Sequence, residues 1–568
     1  MRIGLISLGC AKNLADAEIM LGSLLDEGAE IVNDAARADA VIVNTCSFID
    51  AAQEESVDAI LESAQVRDAQ NRGQALIVSG CLPQRFRDEL PRLLPEVDAF
   101  MGIDQVTQVC AIVRQVLHHR AGRTQHAERR MRSSRSKFAL RVGQLKEQVA
   151  TATRDHPSNG QHGEKIETTK TPVAPTASGT RRTPGAGSVV PLDRPSTGPR
   201  VDVNLRPNYI PDFATPRFRL TPRHYAYVKI AEGCNHPCSF CIIPRMRGSH
   251  RSRRPADIVA EARQLIADGV KELNLISQDS TYYGLDLRPD RAGSIAAPQK
   301  FSAAAKALPA DTPTLCTLLR ELNALPGDFW VRLLYTHPAH WTDELIQTLA
   351  ECPKVARYVD MPLQHIHEIM LERMRRETSQ RYIVDLIRRI RAGIPGIAIR
   401  TTFIVGFPGE SEACFRTLLE FIGETKFERL GVFTYSREEG TRAAKMAGQV
   451  PDRVKKQRRD LAMAEQLGVA RQIAASFVGR TVKVLVEKAA GAEELSRANV
   501  FSWEHGLIRE TARHPALDAR QYLAARGEAD APDIDGRVYA RGKLPLGEFA
   551  LVKVVGHTDY DLIAEPAR

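Results

Sequence analysis

Two hydrophobic patterns alternate along the first part of the chain. Runs of consecutive apolar residues, IGLISL, AVIVNT and ALIVSG, are separated by longer stretches in which apolar residues recur every three or four positions. The runs are typical of strands buried on both faces, and the longer stretches are typical of amphipathic helices. We therefore predict a parallel α/β domain with a flavodoxin-like sheet over residues 1–118.

The same alternation resumes at Tyr225. Six further runs have strand length, namely YAYVKI, ELNLIS, FWVRLLYT, YVDMPL, IRTTFIVGF and RLGVFTYS. Six βα units in succession fit an incomplete (β/α) barrel better than an open sheet. We expect this barrel over residues 216–450, interrupted by a surface loop rich in Ala, Pro and Gly at about 287–313.

The last part of the chain has a third pattern. A charged helical connector is predicted over residues 451–479, and it is followed by short strands in which apolar and polar residues alternate. These strands predict a small antiparallel β barrel over residues 480–568. An insert of polar, helical character lies within this barrel at about 499–526.

The excess of basic residues belongs to one segment. The chain has 568 residues and a formal net charge of +9, and residues 120–200 hold 16 Lys and Arg against 6 acidic residues. The surrounding segment, 119–215, is rich in Pro, Gly and Ser and is expected to be a disordered insert. It is either a solvated linker or a weak electrostatic contact with ribosomal RNA. The remaining 62 basic and 63 acidic residues do not favour a general RNA-binding protein.

Hydropathy and cysteine content indicate the cellular compartment. No window approaches the roughly 18 uninterrupted apolar residues of a membrane-spanning helix, and the first residues lack the apolar core of a signal peptide. We therefore expect a cytoplasmic protein without a membrane contact. Ten cysteines are too few for a disulfide scaffold in a chain of this length. In a reducing cytosol, grouped cysteines are more often ligands of metals or clusters.

Three cysteines share one short polar loop. Cys234, Cys238 and Cys241 have the spacing C-x3-C-x2-C and follow a predicted strand. Three thiolates can bind three irons of a [4Fe–4S] cluster and leave the fourth iron open to a substrate. Zinc is the competing metal, but a structural zinc site needs four ligands, and His236 is poorly placed to be the fourth.

Three more cysteines each follow a predicted strand. Because the carboxyl ends of parallel strands share one edge of a sheet, Cys10, Cys46 and Cys81 are expected to converge there. A second three-thiolate cluster site is the stronger hypothesis, and buried apolar cysteines are the alternative. The remaining cysteines lie singly in helical patterns and are expected to be packing residues: Cys110, Cys316, Cys352 and Cys414.

The run YVKIAEGCNHPCSFCIIPRMRG resembles the cluster loop of the radical S-adenosylmethionine (SAM) superfamily. The resemblance implies that SAM chelates the open iron of the cluster at Cys234, Cys238 and Cys241 and is cleaved reductively to a 5′-deoxyadenosyl radical.

The resemblance also implies which residues border SAM. The stretch TTFIVGFPGE ends a predicted strand and offers Gly406 and Glu410, although a turn that needs glycine for backbone reasons is the alternative. The stretch NLISQDS offers Gln278 in the same role. Further residues that could line the barrel mouth are Ser277, Asp279 and Arg400.

The order of the three predicted domains is similar to that of the methylthiotransferases, whose last unit is a TRAM domain. The runs SLGCAKNLADAE, VNTCSFIDAAQEES, ELNLISQDS and FTYSREEGT resemble the RimO-type enzymes, which add a methylthio group to the β-carbon of an aspartate in ribosomal protein S-twelve. The tRNA-directed relatives tend to have Gln-Met-Asn where this chain has Ala11, Lys12 and Asn13. A tRNA adenosine methylthiotransferase and a non-catalytic iron–sulfur carrier or sensor are the alternatives.

This resemblance implies two [4Fe–4S] clusters and two uses of SAM. At one cluster a sulfur species receives a methyl group from SAM, and at the other SAM yields the radical that takes hydrogen from the aspartate. No side chain is expected to act as an acid or base, since an unactivated C–H bond resists such chemistry. A flavodoxin or ferredoxin is the expected electron donor. Ala11 stands where a proline is common in the family, and the three inserts have no usual counterpart.

Overall fold

The structure is a computed structural model that describes residues 1–127, 198–287, 297–309, 312–491 and 522–567. Most of the predicted basic insert and most of the predicted insert at 499–526 lie outside the described residues. Within the described ranges, no helix is both long enough and apolar enough to cross a membrane.

The first sheet has six parallel strands in the order β2-β1-β3-β4-β5-β6. The order of its first five strands, 2-1-3-4-5, is that of flavodoxin-like folds, which confirms the predicted class. The strands are β1 Arg2–Ser7, β2 Glu30–Ile31, β3 Ala40–Thr45, β4 Ala75–Gly80, β5 Ala99–Met101 and β6 Arg200–Asp202.

Helices cover both faces of this sheet because alternate strand residues point to opposite sides. Ile42 belongs to one apolar core, and its neighbours Val41 and Val43 belong to the other. The α-helices are Ala11–Asp26, Asp50–Gln70, Cys81–Arg85, Leu90–Leu93 and Val109–Ala127, and short 3₁₀ helices span Ala35–Arg37 and Ile103–Gln108.

Both ends of the predicted insert at 119–215 are structured. The helix Val109–Ala127 continues past residue 118, and β6 pairs in parallel with β5 at the sheet edge. A strand of three residues with two charged side chains gives no hydrophobic signal, so the sequence pattern could not indicate it. The limits of the three domains stay predictions.

The second sheet also has six parallel strands, in the order β14-β13-β12-β11-β10-β7. Among the described residues, its two edge strands are not paired with each other, as expected for the predicted incomplete barrel. The strands are β7 Tyr225–Lys229, β10 Glu272–Ile276, β11 Trp330–Leu333, β12 Val355–Asp360, β13 Ala398–Val405 and β14 Arg429–Thr434, and the two-residue strands β8 Ala231–Glu232 and β9 Arg251–Ser252 form a separate pair.

The helices of this domain lie between its strands. The α-helices are Ile243–Arg247, Pro255–Ala267, Pro298–Lys306, Leu315–Asn323, Asp343–Glu351, Glu368–Met374, Gln380–Gly393 and Glu412–Thr425, and 3₁₀ helices span Ser280–Tyr282, Pro338–His340 and Ala443–Lys445. The helix Pro298–Lys306 lies within the stretch expected to be a surface loop, and that expectation is wrong there. Phe301 anchors this helix, because its side chain is buried and its ring stacks on His340 with 4.3 Å between centroids.

The third unit is a closed barrel in the order β15-β16-β17-β19-β18. Four of its strand pairs are antiparallel, and β17 with β19 is parallel. The connector helix Asp452–Ser476 precedes it. The strands are β15 Thr481–Ala489, β16 Tyr522–Gly527, β17 Val538–Arg541, β18 Phe549–His557 and β19 Leu562–Pro566.

Buried polar contacts join this barrel to the second sheet. Glu272 of β10 accepts hydrogen bonds from Arg332 of β11 (2.6 Å) and from Arg526 of β16 (2.5 Å), and all three side chains are buried. The hydroxyl of Tyr358 donates to Asp535, which precedes β17 (2.8 Å). The C-terminal barrel therefore packs directly against buried residues of the second sheet.

Candidate functional site

The first three candidate cysteines lie at one edge of the first sheet. Cys46 and Cys81 come directly after β3 and β4, and Cys10 follows β1, the other neighbour of β3. Gly9 has a φ of +91°, and a Cβ at that position would lie 2.7 Å from the Cβ of Cys46. Because only glycine allows this approach, the loop of Cys10 can lie against Cys46.

Asn13 connects the three cysteine loops. Its buried carboxamide donates to the carbonyls of Leu8 (3.1 Å) and Thr45 (2.8 Å), which lie in the loops of Cys10 and Cys46. Its oxygen lies 3.5 Å from the Sγ of Cys81. The carboxamide of Asn44 in turn donates to the Asn13 carbonyl (2.7 Å). One side chain therefore sets the relative positions of all three loops.

The second set of cysteines lies in the loop between β8 and the helix Ile243–Arg247. The N–H of Cys241 donates to the carbonyl of Cys238 (3.3 Å), which keeps that part of the loop tightly turned. Gly233 has a φ of +82°, and a Cβ there would lie 2.1 Å from the carbonyl oxygen of Ser249. The thiols of Cys234, Cys238 and Cys241 are half-buried, whereas the four predicted packing cysteines are buried.

The chemistry of this donor set fits an iron–sulfur cluster. Burial raises the pKa of both Cys234 and Cys241, the latter to about 12, and nearby Asp279 adds to the rise at Cys234. A free thiolate is therefore disfavoured at Cys234 and at Cys241. A bound metal cluster takes thiolates as ligands and releases their protons, so it would stabilise the three side chains together.

One cysteine of the first set packs against residues that directly follow the second cysteine loop. Cys81 forms a small apolar cluster with Ile242 and Met246, against which Ile243 packs. Ile242 is the residue that follows Cys241 in the chain. The carboxyl edge of the first sheet therefore faces the cysteine loop of the second domain.

Arg247 makes a polar bridge across the same contact. Its Nη2 donates to the Asn13 carboxamide oxygen (2.5 Å) and to the Sγ of Cys81 (3.4 Å). Its Nη1 donates to Asp16 (2.8 Å) and Glu232 (3.1 Å). The side chain is fully buried, so these contacts satisfy its charge without water.

A second buried cation completes this bridge. Lys229 pairs with Asp16 and with Glu232 (2.7 Å), so two cations face two carboxylates. Burial opposes ionisation of Glu232, yet the charges of Arg247 and Lys229 hold the pKa of its carboxyl below the ordinary value. Gln278 donates to the other Glu232 oxygen (2.5 Å), and the carboxamide oxygen of Gln278 is buried without a hydrogen-bond partner.

A second arginine contacts the other cysteine loop. The Nη1 of Arg376 lies 3.5 Å from the Sγ of Cys238, and its Nη2 donates to the carbonyl of Pro362 (2.7 Å). The neighbours of Arg376 both have left-handed backbone conformations, with φ of 57° at Arg375 and 54° at Glu377. Such conformations are unfavourable for these residue types, so surrounding structure holds the segment in place.

Gly406 and Glu410 form a closed turn. Glu410 accepts hydrogen bonds from the N–H groups of Gly406 and Phe407, the second at 3.1 Å. Burial raises the pKa of its carboxyl to about 7. Gly406 has a φ of +73°, and a Cβ there would lie 2.2 Å from the Cγ of Lys455. The positive φ and the close approach of the connector helix therefore explain why a glycine is needed at position 406. A contact of Gly406 or Glu410 with SAM stays a prediction.

Two other sequence candidates for the barrel mouth form internal contacts. Arg400 pairs with Asp360 (2.5 Å) and with Asp535 of the C-terminal unit (3.5 Å), and its side chain is buried. The expectation that it lines the mouth is wrong, because these carboxylates hold it within the fold. The hydroxyl of Ser277 lies 3.0 Å from that of Ser280.

Three histidines surround Asp279. Its Oδ2 lies 2.7 Å from Nε2 of His236 and 2.8 Å from Nδ1 of His340. These two histidines and His337 place ring nitrogens within 4.8 Å of one another. However, the His236 and His337 rings stack with centroids 3.7 Å apart and planes inclined by 14°, so their in-plane lone pairs do not converge on one ion. The geometry favours a hydrogen-bonded support for the cysteine loop rather than a metal centre.

Sequence reasoning missed Asn13, Arg247 and Arg376 as parts of the site. Asn13 lies three residues after Cys10, and Arg247 lies six residues after Cys241, so proximity to the cysteines was their only signal. Arg376 lies 135 residues beyond Cys241 and had no such signal.

Family models match three separate parts of the chain. The model described as Uncharacterized protein family UPF0004 matches residues 2–102, the Radical SAM superfamily model matches 228–422, and the TRAM domain model matches 513–566. These matches agree with the three sheets in their order along the chain. The radical SAM methyltransferase TsrM from Kitasatospora setae, a solved structure, aligns with a TM-score of 0.44 and 14% identity over 76% of this chain and 72% of that chain.

Curated relatives match the whole length of the chain. The ribosomal protein uS12 methylthiotransferase RimO of Opitutus terrae is 48% identical over 100% of this chain and 97% of its own length. The proteins of the same name from Akkermansia muciniphila and Geobacter sulfurreducens are 43% and 37% identical, with coverage of 100% and 99% of this chain and 100% and 98% of their own lengths. The chain therefore belongs to the RimO family of radical SAM enzymes.

Proposed function

We propose that this chain is a methylthiotransferase that adds a methylthio group to the β-carbon of an aspartate in ribosomal protein uS12. Full-length relatives carry the name of that activity. The structural observation that supports the proposal is the contact of Cys81, from the first cysteine set, with Ile242, the residue that follows Cys241. Transfer of a sulfur unit to a carbon radical requires two cofactor sites that face one cavity.

The six cysteines would hold the cofactors. When bound, one [4Fe–4S] cluster would hold the sulfur species that SAM methylates, and the other would cleave SAM to a 5′-deoxyadenosyl radical. The proposed ligands are Cys10, Cys46 and Cys81 for the first cluster and Cys234, Cys238 and Cys241 for the second.

The side chains of this protein hold the cysteine loops in place and are proposed to bind SAM. Asn13 fixes the three loops of the first set, and Glu232 ties that set to the second loop through Arg247. The unpartnered carboxamide oxygen of Gln278 is a suitable acceptor for the ammonium group of SAM. Since the reacting C–H bond is not acidic, no side chain is assigned a proton-transfer step.

The substrate determines the remaining partners. A ribosomal protein is made and assembled in the cytoplasm, so we place the enzyme there. Flavodoxin or ferredoxin is the electron donor that we propose. A weak contact of the basic segment with ribosomal RNA is also proposed on its charge alone, and that segment lies largely outside the described residues.

The test is an anaerobic reaction in a single tube. Reconstituted protein, dithionite, SAM and sulfide are mixed with uS12, and the digested substrate and 5′-deoxyadenosine are measured by mass spectrometry. A methylthio-modified aspartate together with 5′-deoxyadenosine supports the proposal. Deoxyadenosine with unmodified uS12, followed by modification of tRNA, would overturn the substrate and leave a radical SAM enzyme. The variant Cys234→Ala is the control, and it should form neither product.

A further inference from the structure

In each set of three cysteines, a buried arginine lies next to the sulfur of one proposed cluster ligand. Arg247 reaches Cys81 at 3.4 Å, and Arg376 reaches Cys238 at 3.5 Å. Sulfur accepts longer hydrogen bonds than oxygen, and both distances are within the range for an N–H···S contact. The two contacts are independent, since one arginine precedes β9 and the other follows the helix Glu368–Met374.

Both arginines are held so that they cannot turn away from the sulfur. Arg247 has three other side-chain polar contacts that use both of its terminal nitrogens, and its side chain is fully buried. Arg376 is held by the carbonyl of Pro362 and is 5% exposed. Within the described part of the chain its buried Nε has no hydrogen-bond partner, so the contacts with Cys238 and with that carbonyl orient the guanidinium.

The electrostatic surroundings differ between the two contacts. Around Arg247, the charges of Asp16 and Glu232 are balanced by Arg247 and Lys229. The guanidinium therefore acts on Cys81 mainly through its local N–H dipole. Arg376 has no carboxylate partner among the described residues within ion-pair distance, and its full charge acts on Cys238.

We propose that Arg247 and Arg376 are paired positioning residues, each of which donates an N–H···S hydrogen bond to one cluster and so raises the reduction potential of that cluster alone. This inference rests on the proposed function, because it requires clusters at both cysteine sets. Hydrogen bonds to cluster sulfurs and net charge are two of the determinants of cluster potential. An N–H donor favours the reduced cluster, which carries one more electron and more negative charge on sulfur.

The test measures two potentials in the full chain. Holoprotein with both clusters is titrated with dithionite, which supplies one electron to each cluster, and the reduced signals are followed by electron paramagnetic resonance. SAM shifts the signal of the cluster that binds it, and full-length proteins with one cysteine set changed to alanine assign the other. The variants are Arg247→Lys and Arg376→Lys, which keep a positive charge and lose the second terminal nitrogen. Arg253→Lys is the matched control, because Arg253 is equally buried but contacts Glu261 and the carbonyl of Lys229.

The proposal predicts a crossed result. Arg247→Lys should lower the one-electron reduction equilibrium constant of the first cluster about tenfold, or about 59 mV, and leave the second within twofold. Arg376→Lys should do the reverse, and Arg253→Lys should change neither. Equal potentials in all four proteins, or a shift of both clusters by either variant, would overturn the inference. Wild-type protein that binds no cluster at one of the sets would instead contradict the proposed function.

A second measurement tests the proposal on wild-type protein, in case the lysine variants do not bind iron. Wild-type protein labelled with ¹⁵N-arginine should give a weak ¹⁵N hyperfine coupling to each reduced cluster in pulsed electron paramagnetic resonance, since a hydrogen bond transmits spin density to the donor nitrogen. The same spectrum is recorded with each cysteine set changed to alanine. A coupling seen in each protein that keeps a single cluster supports the pairing, and its absence from either cluster refutes it.

Discussion

Asn13→Ala should remove the first cluster and leave the second. The carboxamide of Asn13 contacts the segments of Cys10, Cys46 and Cys81 together, through Leu8, Thr45 and the Cys81 sulfur. Truncation to alanine leaves the two carbonyls without their donor and removes an acceptor from Arg247. The three thiols then lose their fixed relative positions, which cluster binding requires.

The cost can be worked from these contacts. The buried carbonyl of Thr45 costs about 1–3 kcal/mol when it loses its partner, and the part-buried carbonyl of Leu8 adds a smaller amount. The N–H groups of Arg247 would add to this because its side chain is fully buried. This loss of free energy is large enough to let the loops of Cys10, Cys46 and Cys81 leave their single conformation. The affected hydrogen bonds do not include the loop of Cys234, Cys238 and Cys241, so that loop should keep its structure.

The assay is the iron content of anaerobically reconstituted protein. Wild type should bind about eight irons per chain and Asn13→Ala about four. Asn71→Ala is the matched control, since its carboxamide also donates to two carbonyls, those of Ala36 (3.3 Å) and Ala38 (3.0 Å), away from the cysteines. The control should lose stability and keep all of its iron. An Asn13→Ala protein with full iron content and an unchanged spectrum would refute the reasoning.

Three further predictions concern other parts of the molecule. Arg526→Met leaves the buried Glu272 with one cation instead of two and should destabilise the protein by about 3–5 kcal/mol, measured by urea unfolding. Gly233→Ala places a Cβ 2.1 Å from the Ser249 carbonyl oxygen, so it should abolish the second cluster and the formation of 5′-deoxyadenosine. Burial raises the pKa of Glu410 to about 7, above its unfolded value. Its contribution to folding is therefore present below about pH 4.5 and lost as the pH rises through 7, and Glu410→Gln should gain about 2 kcal/mol relative to wild type between pH 5 and pH 8.

Each of these predictions has a control on the same chain. Arg541→Met changes an exposed arginine of the same barrel, and an equal unfolding midpoint for it and Arg526→Met would contradict the first prediction. Gly468→Ala adds a Cβ that meets nothing within 4 Å and should preserve both clusters. For the pH dependence, Glu412→Gln changes a side chain that is 72% exposed, so it should show no pH-dependent gain. If the difference in unfolding free energy between Glu410→Gln and wild type did not change with pH, a raised pKa of the buried Glu410 would be contradicted.

The hydrophobic pattern predicted most of the fold because its signals are local. Strands such as Ala40–Thr45 are entirely buried and therefore consecutive in apolar residues. The pattern predicted a surface loop where the helix Pro298–Lys306 lies, because Phe301 is the one large apolar residue of that helix. Its ring packs against Tyr282 and Leu285 and stacks on His340.

The cysteines of the candidate site could be predicted, but the residues around them could not. Cysteine spacing is visible in one loop, and the position of Cys10, Cys46 and Cys81 after strands β1, β3 and β4 follows from parallel topology. The contacts of Arg247 with Asp16 and of Arg376 with Cys238 span 231 and 138 positions. The first contact depends on how two domains pack, and the second depends on how distant segments of one domain meet. A periodic pattern within one segment holds no information about either.

The central claim, hydrogen abstraction from the β-carbon of a uS12 aspartate, has one direct measurement. A uS12 substrate that carries deuterium at the β-carbon of its aspartates is incubated anaerobically with the reconstituted protein, SAM, sulfide and dithionite. The account predicts 5′-deoxyadenosine that contains one deuterium, formed together with the methylthio product. Methylthiolated uS12 accompanied by deuterium-free 5′-deoxyadenosine would contradict it.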